Sequence, residues 1–569
     1  MRWIAGTLLV FTFAFIQPTD PYPKDYFQSP LNTALRLSGT FGELRPDHFH
    51  TGIDIKSPDG KVGHTVVAAA DGYIARVNVQ PGGYGNALYV RHPNGYTTVY
   101  AHLDAFSDEV AAFVKKAQYT RKSFSVDLYP SPGQFKVEKG KPMAKLGNSG
   151  GSGGPHLHFE IRDTRSSRPL NPLLFGMPVT DNVPPRMHQL KVYWLNDKLE
   201  TQKSEPFNLV KTGATTYKIQ GDTIYLDAWR VGFGLKVYDH MNYVTNWNGI
   251  YRLEMKKNET PAFSFEMGKL NFSENRYLNA HLDYAEQVTN KAYFNRCYKL
   301  PGSRLSIYPQ QDGVVELYKD KATRIDLMAE DADGNSCNLR FWVKRSEIEN
   351  PPPPLVYNYL LPYNEDNVIN TGSLRVFIPK GALYENLAMQ YSSEKDASSG
   401  IYAPFHHIHT PDVPLHQYID LSITADAIPE TLKSKAFIAY CNAKREVRNC
   451  GGSWEGNQLK AKVRQLGDYT IMVDEIPPTI SPVLYKENMR GMSKMTFRIR
   501  DNFEVSGNAR GLQYEGTLDG QWLLFEYDAK NDLLIHTFDE RTQPGTHQLR
   551  LTVRDNRGNA TVWEGTFTR

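Results

Sequence analysis

Apolar and polar residues alternate with a period of two along most of the chain, the pattern of strands with one buried face. Four such runs crowd the N-terminal third: GHTVVAAADGYIARVNV from Gly63, NALYVRHPNGYTTVYAHL from Asn86, KPMAKLGNSG from Lys141 and HLHFEIR from His156. Each alternates or is bounded by Gly or Pro, so each predicts strand. One stretch breaks the rule. DEVAAFVKKAQYTRK, from Asp108, has helical composition and is predicted as an insertion between two of these strands.

The alternation continues to the C-terminus. TRIDLMAEDADGNSCNLRFWV from Thr323 alternates, turns at Asp333-Gly334-Asn335 and alternates again, and HQLRLTVRDNRGNATVWEGTF from His547 does the same at Asp555–Asn559. A D-x-x-G-N turn between alternating strands is a hairpin signal. Proline-rich punctuation separates the runs. Asp181-Asn182-Val183-Pro184-Pro185 precedes HQLKVYW, Asp474-Glu475-Ile476-Pro477-Pro478 precedes TISPVLY, and Pro351–Pro354 forms a stiff linker. The expected segments are 19–180, 181–348, 349–474 and 475–569. The last three read as immunoglobulin-like β-sandwiches, the middle one carrying SLRVFIPKGAL and HQYIDLSITADA.

Composition supports an all-β chain of several domains. Its 569 residues suggest about four domains, and 43 Gly, 35 Pro and 33 Tyr suit short strands and turns rather than a helical bundle. A net charge of +3 is too small to argue for nucleic-acid binding. Met1-Arg2 followed by the uncharged run Trp3–Ile16 has the layout of an export signal over residues 1–18, too short for a full span, so no stable membrane insertion is expected after its removal. The mature chain is expected to be secreted or periplasmic. Disulfides persist there. Cys441 and Cys450 flank a charged stretch that suits a hairpin tip, and Cys297 with Cys337 would then pair across one domain, although three connectivities remain open.

Candidate chemistry lies in the first segment, which holds seven of the sixteen His between His48 and His158. In a strand, His156 and His158 project to one side while Leu157 and Phe159 point inward. In the run from His50 to Asp54, even spacing puts His50 and Asp54 on one side, with Ile53 and Ile55 inward. His102 ends the strand YTTVYAHL. Each feature alone has an ordinary structural explanation. Together, two His and one Asp leave one open position on a tetrahedral zinc, as in catalytic sites, with two further His beside it. A bound zinc polarises carbonyls and activates water, and imidazoles near neutrality move protons or hold an oxyanion. No HExxH helix is present.

The ordered set H-x-G-x-D, Y-A-H-L and G-N-S-G-G-S-G-G-P-H-L-H-F-E resembles the lysostaphin/LytM-type zinc metallopeptidases, small β-proteins that cut peptide cross-links in bacterial cell walls. The resemblance covers roughly Gly39 to Gly176. It implies a lysostaphin-type β-sheet peptidase domain over 19–180, with His50, Asp54 and His158 as zinc ligands and His102 and His156 as catalytic residues. It implies a zinc endopeptidase hydrolysing peptidoglycan stem peptides or cross-links. The alternative is a catalytically silent scaffold or activator of other wall hydrolases, a role in which relatives lack one or more of the five residues. The insertion from Phe106 to about Val137 is expected to build a cleft wall. The C-terminal domains are expected to offer an autoinhibitory contact.

Other features read as structural. Gly147–Gly154 lacks the Lys-Ser/Thr ending of a phosphate loop and is expected to let substrate backbone approach. His48, His64 and His92 have no assigned partner. His406, His407, His409 and His416 are expected in a solvated loop. The turn at Asp331–Asn335 lacks the closing Glu of a calcium-binding loop.

Overall fold

The computed structural model describes residues 22–308, 311–348, 355–395 and 400–569. The expected export signal at 1–18 and the proline run Pro351–Pro354 lie outside them. The chain is all-β, and four separate apolar cores account for most of its buried side chains. Among the described residues, no helix is long and apolar enough to cross a membrane.

The first domain contains strands β1 (Leu37–Gly39), β2 (Ile53–Lys56), β3 (Thr65–Val67), β4 (Gly72–Val79), β5 (Ala87–Arg91), β6 (Tyr96–Ala101), β7 (Ala105–Phe106), β8 (Val126–Leu128), β9 (Lys136–Val137), β10 (Pro142–Lys145), β11 (His156–Asp163) and β12 (Pro169–Leu170). Its main sheet runs β1-β2-β11-β6-β5-β4-β8, with β12 beside β11 and β9 beside β4, while β3, β10 and β7 form a small second sheet. Strand β11 sits between β2 and β6, antiparallel to both, and its register sets His158 opposite Asp54 on one side and Ala101 on the other. Leu157, Phe159 and Ile161 are fully buried on one face of β11, together with Ile53, Ile55 and Tyr100. That core leaves His156, His158, Glu160 and Arg162 to share the opposite face.

Helix α1 (Asp108–Arg121) forms where the helical composition predicts it. Val110, Val114 and Gln118 recur every four residues on its buried side, and Asp108 and Glu109 complement the positive end of the helix dipole. Lys122 ends it in the left-handed conformation, its N–H bonded to the carbonyls of Gln118 and Tyr119.

Three β domains follow. In the second, the long strand Thr201–Lys211 joins two layers into one continuous eleven-stranded sheet. The third pairs a five-stranded sheet with a six-stranded one, whose edge strand Glu504–Val505 comes from the fourth domain, around Val376, Leu421, Ile438 and Ile471. The fourth packs two four-stranded sheets around Phe497, Leu534, Leu551 and Phe567. Domain contacts are intimate: Phe41 and Phe49 of the first domain are buried in the core of the second.

Two expectations fail. The four cysteines are free, buried thiols. The Cys441–Cys450 stretch is a hairpin tip, but Cys441 lies on the sheet face shared with Phe437 and Ala439, whereas Cys450 packs with Ile438 and Tyr440 on the other. His406 and His407 stand in the strand Phe405–Ile408, not in a loop, and His406 is fully buried, its Nδ1 3.0 Å from the Tyr391 hydroxyl.

Candidate metal centre

The polar face of β11 is a buried network rather than a solvated surface. Glu160 is fully buried and takes hydrogen bonds from Arg162 Nε at 2.5 Å, Tyr84 Oη at 2.6 Å and Thr51 Oγ1 at 2.7 Å. Burial opposes its charge, but Arg162 and His158 win and hold the carboxyl well below the usual range. Glu160 is thus a fixed anion, and His158 Nε2 donates to its Oε1 at 2.9 Å. That bond leaves the lone pair of His158 on Nδ1.

His50 is oriented in the same way from another element. Its Nδ1 donates to the Thr40 carbonyl at 2.8 Å, which leaves the lone pair on Nε2. Asp54 points Oδ2 at Arg45 Nη2, 2.9 Å away. The remaining atoms converge: His50 Nε2, His158 Nδ1 and Asp54 Oδ1 lie 2.9–3.0 Å from one another. Two imidazole lone pairs facing each other across a carboxylate repel unless a positive charge sits among them. The electrostatics agree. Burial opposes a charge on His158, yet the neighbouring carboxylates of Asp54 and Glu160 raise its pKa to about 9, so the pocket favours a positive charge. Burial also opposes the Asp54 carboxylate, yet the surrounding imidazoles of His50, His156 and His158 hold it well below the carboxylate range. These three residues could hold a metal ion.

His102 and His156 flank the group. His102 follows β6 in the left-handed region, φ 59°, which swings its ring toward β11. The two rings are 4.8 Å apart, and His102 lies 5.9 Å from the His158 ring. His102 Nδ1 donates to the Ser149 carbonyl at 2.9 Å, and His156 Nδ1 contacts the Gly154 carbonyl at 2.8 Å, with its Nε2 3.4 Å from Asp54 Oδ1. Burial, reinforced by His158 and His156, lowers the His102 pKa to about 3. All five residues picked out in the sequence therefore meet in one place.

Both carbonyls that orient the flanking histidines belong to the glycine loop 147–154. A Cβ on Gly147 would stand 2.2 Å from Asp104 N, and one on Gly52 would stand 2.4 Å from the Phe159 carbonyl, so side chains at either position would push apart strands that carry the centre. Gly153 and Gly154 face open space.

Two supports come from other domains. Phe49 N donates to Asn275 Oδ1 at 2.7 Å and the Phe49 ring packs 5.5 Å from His281, so the second domain anchors the segment that carries His50. From the fourth domain, Lys530 Nζ donates to the Asn148 carbonyl and, at 3.2 Å, to the Ser152 carbonyl of the glycine loop. That domain also rests on α1, where Lys115 pairs with Asp539 and Tyr119 meets Trp522 edge-on at 5.2 Å. Helix α1 of the insertion is thus the seat of the fourth domain. Sequence reasoning missed Arg45, Thr40, Tyr84 and Lys530 as supports. Glu160 and Arg162 had a signal, since they continue the i, i+2 face begun by His156 and His158.

The remaining N-terminal histidines have local partners. His48 Nδ1 lies 2.6 Å from Asp47 and His64 Nε2 2.6 Å from Asp59, while His92 is buried between the Asp71 carbonyl and Thr98 Oγ1, 2.8 Å from each.

Known proteins resemble this region. Residues 48–122, which include His50, Asp54 and His102, match the family model described as Peptidase family M23, and residues 358–474 match a Zu5-like domain. The DD-carboxypeptidase/endopeptidase Mpg of Neisseria meningitidis serogroup B is 35% identical over 151 residues, 26% of this chain and 28% of Mpg. The peptidoglycan DD-endopeptidase ShyA of Vibrio cholerae is 27% identical over 171 residues, 29% of this chain and 33% of ShyA. Among solved structures, a zinc-containing peptidase from Vibrio cholerae is 25% identical over 27% of this chain and 40% of that chain, with a TM-score of 0.20. The chain spans about a third or less of the length of these curated relatives. The resemblance to the lysostaphin/LytM type of peptidase holds for this region.

Proposed function

We propose that the chain is a zinc endopeptidase of the bacterial envelope, secreted or periplasmic, that hydrolyses peptide bonds in peptidoglycan stem peptides or cross-links. The observation that carries this reading is the convergence of His50 Nε2, His158 Nδ1 and Asp54 Oδ1 beside two further histidines. Two imidazole nitrogens and one carboxylate oxygen suit zinc and leave a coordination position open, the arrangement of catalytic rather than structural sites. Zinc held there would polarise a peptide carbonyl and activate water at neutral pH.

The protein's own groups supply the rest. Thr40 and Glu160 fix the tautomers of the two ligating imidazoles, and Arg45 fixes the carboxylate. The Nδ1–H of His102 is committed to the Ser149 carbonyl, which leaves the lone pair on its Nε2 to take up a proton. His156 holds the developing oxyanion of the substrate or returns the proton to the leaving amine. Open space over Gly153 and Gly154 admits an extended peptide. Lys530 of the fourth domain braces the loop whose carbonyls aim both flanking histidines.

The test is digestion of purified sacculi by the zinc-loaded mature chain, with muropeptides read by mass spectrometry. New peptide ends that vanish with a zinc chelator and return with zinc are expected. No new ends from any wall preparation would overturn the reading.

A further inference from the structure

Two clusters of three aspartates share no residue with the histidine centre, and nothing in the proposed peptidase chemistry uses them. Asp181, Asp239 and Asp331 bring ligand oxygens within 4.8 Å of one another, and so do Asp474, Asp501 and Asp555. The clusters are built alike. Asp181 and Asp474 each stand three residues before the proline pair that opens a β domain. Asp239 and Asp501 directly follow the strands Arg230–Tyr238 and Lys494–Arg500. Asp331 and Asp555 directly follow the strands Thr323–Glu330 and Thr546–Arg554 and open a hairpin turn.

Their hydrogen bonding is also alike. Asp331 Oδ1 accepts from the N–H groups of Asp333 and Asn335, both at 2.9 Å, and Asp555 Oδ1 accepts from those of Arg557 and Asn559, at 2.7 and 2.9 Å. The turn asparagine then ties each hairpin to its junction: Asn335 Nδ2 donates to the Asp181 carbonyl at 3.4 Å, and Asn559 Nδ2 to the Asp474 carbonyl at 2.9 Å. What remains is an unpaired oxygen on each of the other four acids. Asp181 Oδ2, Asp239 Oδ1, Asp474 Oδ2 and Asp501 Oδ1 are buried without a hydrogen-bond partner, and Asp239 and Asp474 are each only 1% exposed.

A further polar group joins the first cluster. Asp239 and Asn248 exchange both backbone hydrogen bonds at 2.9 Å, so their side chains stand on the same face. Asn248 is fully buried, and both atoms of its amide lack a partner. A buried amide and carboxylate oxygens with nothing to bond are costly to fold.

We propose that each aspartate triad binds a calcium-like divalent cation, the first with the Asn248 amide oxygen, and that the bound ion pins a β domain to the segment preceding it. Carboxylate and amide oxygens form a hard donor set, which selects calcium over the transition metal suited to the histidine centre. In each triad one acid comes from the junction and two come from the domain it opens, so an ion there fixes the angle of that junction. At the second triad this sets the fourth domain, which carries Lys530 to the glycine loop. The inference does not depend on the peptidase reading.

The test uses the full mature chain, stripped over a chelating resin and reloaded with one equivalent of zinc. Calcium chloride is titrated by calorimetry and thermal unfolding is followed in parallel. Two calcium equivalents are expected, with Kd on the order of 10⁻³ M or tighter, as in extracellular calcium modules. Asp239→Asn and Asp501→Asn should each remove one equivalent. Terbium gives a readout on the unmutated chain, because Trp247 adjoins Asn248 and should sensitise its emission until calcium displaces it. If no heat, no change in unfolding and no sensitised terbium appears up to about 10 mM cation, ten times the weakest of those Kd values, the proposal is overturned. It is also overturned if both variants still bind two equivalents.

Discussion

The histidine centre and the aspartate triads each gather three ligand atoms within 4.8 Å, yet they satisfy those groups in opposite ways. At the centre, every group has an outward partner: Thr40 on His50, Glu160 on His158 and Arg45 on Asp54. Only the inward atoms face one another. In the triads, the hairpin aspartates are saturated by backbone N–H groups and by the turn asparagine's side chain, while each of the other acids buries an oxygen with no partner. The difference teaches what each place is for. Outward partners preset tautomer and aim, which a site for chemistry needs. Unpaired hard oxygens at domain junctions wait for a charge that completes the fold.

The sharpest way to break this comparison is at Asp54. Asp54→Ala should lower the rate of peptide cleavage by on the order of 10³-fold or more and deplete zinc, while calcium stoichiometry stays at two. Loss of calcium from this variant would mean the two kinds of site are not independent. One layer out, Glu160→Gln should weaken zinc binding by about 10–100-fold, measured by competition with a chromogenic chelator. Undiminished zinc affinity would remove the argument that Glu160 sets the His158 tautomer.

At the junctions, Asp239→Asn and Asp501→Asn should each lower the unfolding temperature in millimolar calcium by several degrees and leave zinc content unchanged. A smaller effect is expected at the brace. Lys530→Ala should reduce cleavage by less than about tenfold, because it removes two hydrogen bonds from an exposed ammonium rather than a ligand. An unchanged rate would separate the fourth domain from catalysis. The last prediction concerns acid. Burial lowers the pKa values of His281 in the second domain and His406 in the third to about 4. Between about pH 6.5 and pH 4 the unfolded chain binds more protons than the folded one, so stability falls as pH falls through that window. Calorimetry should show the β-domain transition moving to lower temperature across it, and a flat profile would contradict the assignment.

The two kinds of site also differ in how far the sequence shows them. HLHFEIR displays its geometry locally, because alternation alone puts His156, His158, Glu160 and Arg162 on one face. The His50–Asp54 stretch is as compact, and helix α1 follows directly from its composition. The triads are different. Asp181 and Asp331 are 150 positions apart, and each looks like an ordinary turn residue until the strands are assembled. The repeated Pro-Pro and D-x-x-G-N signals marked both domains, but the middle acid at the end of a strand carried no signal. Long-range packing hid the rest. Nothing local foretells that Phe49 enters the core of the second domain, that Lys530 reaches the glycine loop, or that Cys441 and Cys450 face opposite sides of one sheet.

The division of labour among the five N-terminal residues is tested most directly by measuring bound zinc and cleavage rate together in His158→Ala and His156→Ala. The account predicts that His158→Ala loses both, whereas His156→Ala keeps one zinc per chain and loses about 10²–10⁴ in rate. Zinc lost from His156→Ala, or retained at full affinity in His158→Ala, would contradict it.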